Sequence, residues 1–156
     1  MGIKSFQGAR KVQANISKKT EAFKVSDYMT RNLITFSPEQ TVEEVIQKLI
    51  QHKISGGPVV NENNELVGII SEGDCIKQIS DSRYYNMPFE HNKIEAHMAK
   101  DVETIDGETN IFDAADKFIQ SKRRRFPIVE NGKLVGQISQ KDILKAAMKL
   151  KGQNWK

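Results

Sequence analysis

The sequence predicts a mixed α/β fold (α+β in its segregation of elements) made of two copies of one β-α-β-β-α unit that bury their sheets and helices against each other. Three observations carry this. The chain repeats itself: Thr35, Val42, Leu49, Pro58 and Val60 match Thr104, Ile111, Phe118, Pro127 and Val129 at a spacing of 69, and Leu66, Gly68, Ser71 and Asp74 match Leu134, Gly136, Ser139 and Asp142 at 68. Each copy carries apolar residues at helical spacing. Each also carries two short strand patterns in succession, joined in the second copy through Asn131-Gly132, a strong hairpin signal.

The elements follow in the same order twice. A short β segment opens each copy, "LITF" at 33–36 and "VETI" at 102–105. Thr41 with Glu44, and Asn110 with Asp113, then stand at N-cap and N3 of a helix. Positions 42, 45, 46, 49 and 50, matched by 111, 114, 115, 118 and 119, form its apolar stripe. Strand pairs over 58–70 and 127–138 come next, and a last helix begins near Ser71 or Ser139. This divides the chain into a basic, partly helical N-terminal segment (1–24), a first repeat (25–80), a connector (81–93), a second repeat (94–150) and a basic tail (151–156). The connector aromatics Tyr84, Tyr85 and Phe89 are expected to pack. One copy alone, at roughly 50–60 residues, is marginal for independent folding, so the two should share a core.

Composition narrows the function. With 38% hydrophobic and 28% charged residues, the 156-residue chain reads as soluble and globular. No apolar run approaches the roughly 20 residues of a membrane span, and no signal-peptide stretch opens the chain; a cytoplasmic location is the expectation. A single cysteine, Cys75, excludes an intrachain disulfide, and His52, His91 and His97 have no partners at ligand spacing, so no metal site is expected. The net charge of +4 is uneven: residues 1–24 carry +5, residues 143–156 carry +4 and the middle −5. An acidic body argues against a nucleic-acid-binding face there and leaves only the tails as electrostatic contacts, for which solvated ends are the simpler reading.

"GIISEGD" (68–74) and "GQISQKD" (136–142) share one punctuation. Ser-x-x-Asp is close to a capping box, and Gly68 and Gly136 fit close backbone packing, so the spacing alone requires no ligand. "ISGGP" (54–58) and "RRRFP" (123–127) precede the first hairpin strand, where proline is tolerated. Phe126 reads as a core residue, and Thr35 and Thr104 as ordinary β-branched strand residues. Lys122, Arg123, Arg124 and Arg125 suit either a solvated helix end or a phosphate.

Taken together, "VSDYMT", "ISGGPVV" and "LVGIISEGD", with "IEAHMAK", "RRRFPIV" and "LVGQISQKD", resemble a tandem pair of cystathionine-β-synthase (CBS) domains, a Bateman module of the stand-alone kind, over about residues 25–80 and 94–148. The resemblance implies two pseudo-symmetric CBS repeats packed through their sheets, clefts that bind adenosine-containing ligands, and a homodimer. It assigns Ser71 with Asp74 and Ser139 with Asp142 to the ribose, and Ser55, Gly57 and Pro58 with Phe126 and Pro127 to the base wall. Thr35 and Thr104 open that wall from the other side. Arg124, with Arg125 beside it, would meet phosphates; the first copy has only Lys53 there, so the clefts need not be equally competent. The implied function is a non-catalytic regulatory sensor of AMP, ADP, ATP or NAD, with S-adenosylmethionine as a variant ligand, acting on a regulated protein carried on another chain. The alternative is a ligand-independent dimerisation or interaction module; nucleic-acid binding through the tails ranks last. No nucleophile elbow, Walker-type loop or metal constellation appears, so neither catalysis nor a catalytic cofactor is expected, and an adenine nucleotide would serve only as regulatory ligand.

Overall fold

The computed structural model describes residues 23–154. The helix expected within 1–24 lies outside them, apart from Phe23 and Lys24. Among the described residues there are four α-helices and two small sheets. Helix α1 (Val42–His52), strands β1 (Gly56–Val60) and β2 (Leu66–Ser71) and helix α2 (Glu72–Tyr85) come from the first repeat. Strand β3 (Ile105–Asp106), helix α3 (Ile111–Ser121), strands β4 (Arg125–Glu130) and β5 (Lys133–Ser139) and helix α4 (Gln140–Asn154) come from the second. The sheets are β1-β2 and β3-β4-β5. The mixed α/β class is as the sequence predicts.

Local chemistry sets the element ends. Thr41 Oγ1 accepts from Glu44 N at 3.2 Å and Asn110 Oδ1 from Asp113 N at 2.9 Å, capping α1 and α3. Both helices stop at a lysine in the left-handed region, Lys53 (φ 53°) and Lys122 (φ 56°), sixty-nine residues apart like the rest of the repeat. The Asn131-Gly132 turn has positive φ at both residues, 53° and 79°, as a two-residue hairpin demands. The looser "NENNE" turn is held by Asn61, whose Oδ1 accepts from Asn63 N and Glu65 N.

Three expectations need correcting. The opening segments are barely strands. In the first repeat only Phe36 pairs, as a parallel bridge to Val59, and in the second β3 is two residues long. The helical stripe is also narrower than its five positions. Val42, Val45 and Leu49 are buried with Ile111, Ala114 and Phe118, whereas Ile50 is 72% and Ile119 78% exposed. The fifth position falls at the edge of the apolar arc, where the neighbouring elements no longer reach. Helix α2 runs through Tyr85 to a left-handed Asn86 cap. Finally, Tyr84 and Tyr85 lie exposed on this last turn, their rings 5.3 Å apart; only Phe89 of the connector aromatics packs on the core.

The chain divides into two compact units, and each borrows from both repeats. One holds the described residues through Arg31, Ile105–Ile128 and those from Gly136 on. In it, Phe23, Lys24 and the first residue of the first repeat lace to the start of α3: Val25 N donates to Thr109 O at 2.8 Å, Ile111 N to Phe23 O at 3.0 Å, and Lys24 pairs with Glu108 at 2.6 Å. Thr30 exchanges both backbone hydrogen bonds with Gln137.

The other unit holds Asn32–Thr104 and the hairpin tip Val129–Val135. It repeats the same lacing at equivalent positions. Ile94 N donates to Gln40 O at 2.9 Å, Val42 N to Asn92 O at 2.8 Å, Lys93 pairs with Glu39 at 2.6 Å, and Ala99 exchanges both bonds with Ile69. Its core is Phe36, Val42, Val45, Leu49, Val59, Ile70, Cys75, Ile94 and Met98.

The lacing explains the shared glycines. A Cβ on Gly136 would stand 2.6 Å from Met29 Sδ and 2.8 Å from Thr30 O; one on Gly68 would stand 2.7 Å from Met98 Sδ and 2.8 Å from Ala99 O. The methionine of each repeat thus lies over the glycine of the other. The close-packing reading of these glycines holds.

Candidate functional site

Each unit forms one corner where a strand turns into a helix. In the first repeat, β2 delivers Ser71 to the N-cap of α2. Ser71 Oγ accepts from Asp74 N at 3.2 Å, while Asp74 Oδ2 accepts from Ser71 N at 2.9 Å and from Ser71 Oγ at 3.0 Å. This is the full capping box. The second repeat copies it. Ser139 Oγ accepts from Asp142 N at 3.2 Å, and Asp142 Oδ2 accepts from Ser139 N at 2.8 Å and Ser139 Oγ at 2.9 Å. All four residues are half-buried.

The segment before each hairpin is tied to this corner by one conserved bond. Glu72 N donates to Ser55 O at 2.8 Å, and Gln140 N donates to Arg124 O at 3.1 Å. A further bond runs from Gln140 Nε2 to Arg123 O at 3.1 Å. The two stretches singled out in each repeat are therefore brought together within one unit: Ser55, Gly57 and Pro58 with Ser71 and Asp74, and Arg124, Arg125, Phe126 and Pro127 with Ser139 and Asp142. Ser55, Arg124 and Arg125 are exposed; Gly57, Pro58 and Pro127 are buried.

In each box the carboxylate spends one oxygen. Among the described residues, Oδ1 of Asp74 and Oδ1 of Asp142 accept no hydrogen bond, although a carboxylate has room for about four. Each corner thus leaves one carboxylate oxygen unspent next to a helix N-terminus. Its proton inventory is simple. Burial first, then the Asp74 and Glu72 carboxylates, push the Cys75 thiol beside the first corner above its ordinary value, which disfavours its thiolate.

Thr35 is half-buried in the same unit as Asp74, beside the Phe36 N to Pro58 O bond of 3.0 Å. Its carbonyl accepts from Lys48 Nζ at 3.1 Å, and it lines an open groove of about 330 Å³ with Ser37, Gln40, Lys48 and Asn61. Thr104 is half-buried and belongs to the unit of Asp74 rather than that of Asp142.

Phe126 and Gly57 occupy equivalent positions and solve one packing problem in opposite ways. Phe126 is fully buried, its ring 4.8 Å from that of Phe118, with Lys117 Nζ 5.9 Å above it. At Gly57 the space beside the backbone is filled by Phe36, whose Cε2 would lie 2.8 Å from an added Cβ, with Lys48 Nζ 5.3 Å above the ring. An aromatic sits under the equivalent lysine in both halves, supplied from position 36 in one and 126 in the other. The sequence reading missed this exchange. Its signal was the pairing of Phe36/Gly57 against Ile105/Phe126 at the common offset.

No group of three or more metal-ligating side chains occurs among the described residues, and none of their helices is long and apolar enough to cross a membrane.

A duplicated unit with a capped strand-to-helix corner in each copy defines the tandem CBS class, and the comparisons agree. The CBS domain profile matches residues 25–81 and 94–149. The chain belongs to the CBS domain family. It is 32% identical over 128 residues to the 17.7 kDa protein in the bps2 3′ region of Acidianus ambivalens, covering 81% of this chain and 74% of that one. The crystal structure of CBSX2, a CBS-pair protein of Arabidopsis thaliana, in complex with AMP superposes with a TM-score of 0.72 at 28% identity, covering 83% of this chain and 98% of that one. The CBS domain pair of protein MJ0100, in complex with 5′-methylthioadenosine and S-adenosyl-L-methionine, gives 0.66 at 25% identity, covering 81% and 96%.

Proposed function

We propose that this protein is a non-catalytic regulatory module that binds an adenosine-containing ligand at the Ser71–Asp74 and Ser139–Asp142 corners. The observation that carries the reading is the half-spent carboxylate. In each corner the serine fixes Oδ2 of the aspartate, which orients Oδ1 as an acceptor for vicinal ribose hydroxyls. The helix N-terminus beside it favours a phosphate. The bonds to Ser55 O and Arg124 O hold the wall segment against the same corner, so base, sugar and phosphate would meet three adjoining pieces of one unit. That structurally similar proteins were crystallised with AMP, or with 5′-methylthioadenosine and S-adenosyl-L-methionine, supports this class of ligand.

AMP, ADP, ATP or NAD would act by differential affinity for two arrangements of the module, which passes the change to a regulated partner chain. Calorimetric titration with these nucleotides tests the reading; unchanged heats across the whole panel would remove it.

A second reading, a homodimer that needs no ligand, is favoured by one observation. Four of the large apolar residues left exposed among the described residues form two equivalent pairs: Ile50 with Ile119, and Ile76 with Leu144. Single exposed apolar residues are ordinary, whereas a matched set on equivalent helices suits a second copy of the chain. Analytical ultracentrifugation without nucleotide separates the two readings, because only the second is satisfied by a dimer that no nucleotide changes.

A further inference from the structure

The two corners share a backbone and differ in charge. Around Asp142 the chain places Lys122, Arg123, Arg124 and Arg125 on one segment and Lys141 on the other, five cations against one carboxylate. Around Asp74 the equivalent stretches hold Lys53 alone, with Glu72 and Asp74, one cation against two carboxylates. The substitutions fall at matched positions on a matched frame: Ser55 against Arg124, Glu72 against Gln140, Gly73 against Lys141. The same wall-to-corner bond, 2.8 Å in one copy and 3.1 Å in the other, fixes Ser55 and Arg124 beside their corners. Both helices begin with the same capping geometry, so the helix dipole favours an anion equally in the two. The difference is left to the side chains.

We propose that the corners select different members of one ligand class. The Ser139–Asp142 corner takes adenosine compounds bearing a phosphate chain, and the Ser71–Asp74 corner takes those whose 5′ substituent is neutral or cationic. This rests on the reading that both aspartates hold a ribose. Arg124 and Arg125, with Lys141, supply planar and point-charge contacts for phosphate oxygens. Glu72, in the first turn of α2, sets a carboxylate beside that corner and repels a phosphate chain. Burial first, then Asp74 and Glu72, raise the pKa of the Cys75 thiol, so both carboxylates also act on the residue next to that corner. Glu72, Arg124, Arg125 and Lys141 are exposed, so the selectivity weakens as salt rises.

The test titrates the full chain with ATP, AMP, adenosine and 5′-methylthioadenosine, using Asp74→Asn and Asp142→Asn to assign each binding event to a corner. Two charge exchanges follow. Arg124→Ser with Gln140→Glu and Lys141→Gly gives the second corner the matched residues of the first. Ser55→Arg with Glu72→Gln and Gly73→Lys does the reverse; an added Cβ at Gly73 meets nothing closer than Ser71 Oγ at 3.6 Å, an ordinary contact. The proposal expects the ATP-to-adenosine affinity ratio at the Asp142 corner to fall at least about tenfold in the first exchange, and the ratio at the Asp74 corner to rise by a similar factor in the second. It expects both changes to shrink in high salt. Loss of adenosine binding in the aspartate variants with unchanged ratios in both exchanges would overturn the selectivity and leave the ribose reading standing. Binding of every compound unaffected by either aspartate would overturn both.

Discussion

The ring of Phe36 lies against Gly57, its Cε2 2.8 Å from where a Cβ would stand, and the equivalent pair, Ile105 and Phe126, carries the aromatic on the opposite partner. The halves have exchanged bulk between two positions while keeping a lysine over the ring, Lys48 in one and Lys117 in the other. A single Gly57→Phe should be severely destabilising, because the added ring meets Phe36 and the Ile34 carbonyl, and overpacking a core costs about 1–3 kcal/mol or more. Combined with Phe36→Ile it should recover much of that loss. Urea denaturation of the four members of this cycle checks the coupling; strict additivity would refute the exchange.

Gly136→Ala and Gly68→Ala should each destabilise by about 1–3 kcal/mol, although alanine favours most backbones. The new Cβ meets a methionine sulfur, which can move, and a carbonyl oxygen at 2.8 Å, which is held in a reciprocal pair of backbone bonds and cannot. Shortening Met29 or Met98 should therefore rescue the variants only in part. Denaturation midpoints equal to the parent would contradict this.

Ser71→Ala and Ser139→Ala should each cost about 0.5–2 kcal/mol by removing the N-cap acceptor, with or without nucleotide. Capping and ligand binding are separable here. The serine holds Oδ2 of its aspartate, so its loss should also weaken nucleotide binding by freeing the carboxylate, whereas Thr41→Ala, a cap of similar strength on α1, should cost stability and leave binding alone. Thermal melts paired with titration calorimetry distinguish the two effects.

Cys75 should react slowly with a disulfide reagent at pH 8 in the folded protein and rapidly once unfolded. It is 3% exposed, and burial, Asp74 and Glu72 all raise its pKa. The folded state therefore holds the thiol proton longer than the unfolded chain does. The stability this contributes is complete below the ordinary thiol value and is lost as pH rises through the folded one. A Cys75→Ala variant should show a shallower fall in stability above pH 9 than the parent, against the value of 9.0 for a free thiol.

Much of this architecture is written locally, and that part was legible. The caps Thr41, Asn110, Ser71 and Ser139 announce themselves by the acid three residues on, and Asn131-Gly132 announces its turn. The repeat offset gave the order of elements. What failed to show was non-local. Nothing near Lys24 says that it will pair with Glu108, or that Met29 will lie over Gly136, because such pairings depend on which copy each segment joins. The segments at 33–36 and 102–105 have strand composition but almost no ladder partner, which propensity does not see. At the corners, the sequence supplied the residues and the family resemblance supplied their meaning. The structure added the bonds that join Ser55 to Glu72 and Arg124 to Gln140, and the carboxylate oxygens left over.

The central claim is that Asp74 and Asp142 each hold an adenosine ribose, and calorimetric titration of adenosine into the parent chain, Asp74→Asn, Asp142→Asn and the double variant tests it most directly. Asparagine keeps an oxygen for the cap and removes the charge from the ribose contact. A lost charge-assisted bond is worth about 1.5–3 kcal/mol, so each single variant should weaken adenosine binding at its own corner by roughly ten- to a hundredfold, and the double variant should weaken it by that factor at both. Adenosine affinity unchanged in the double variant would contradict the account.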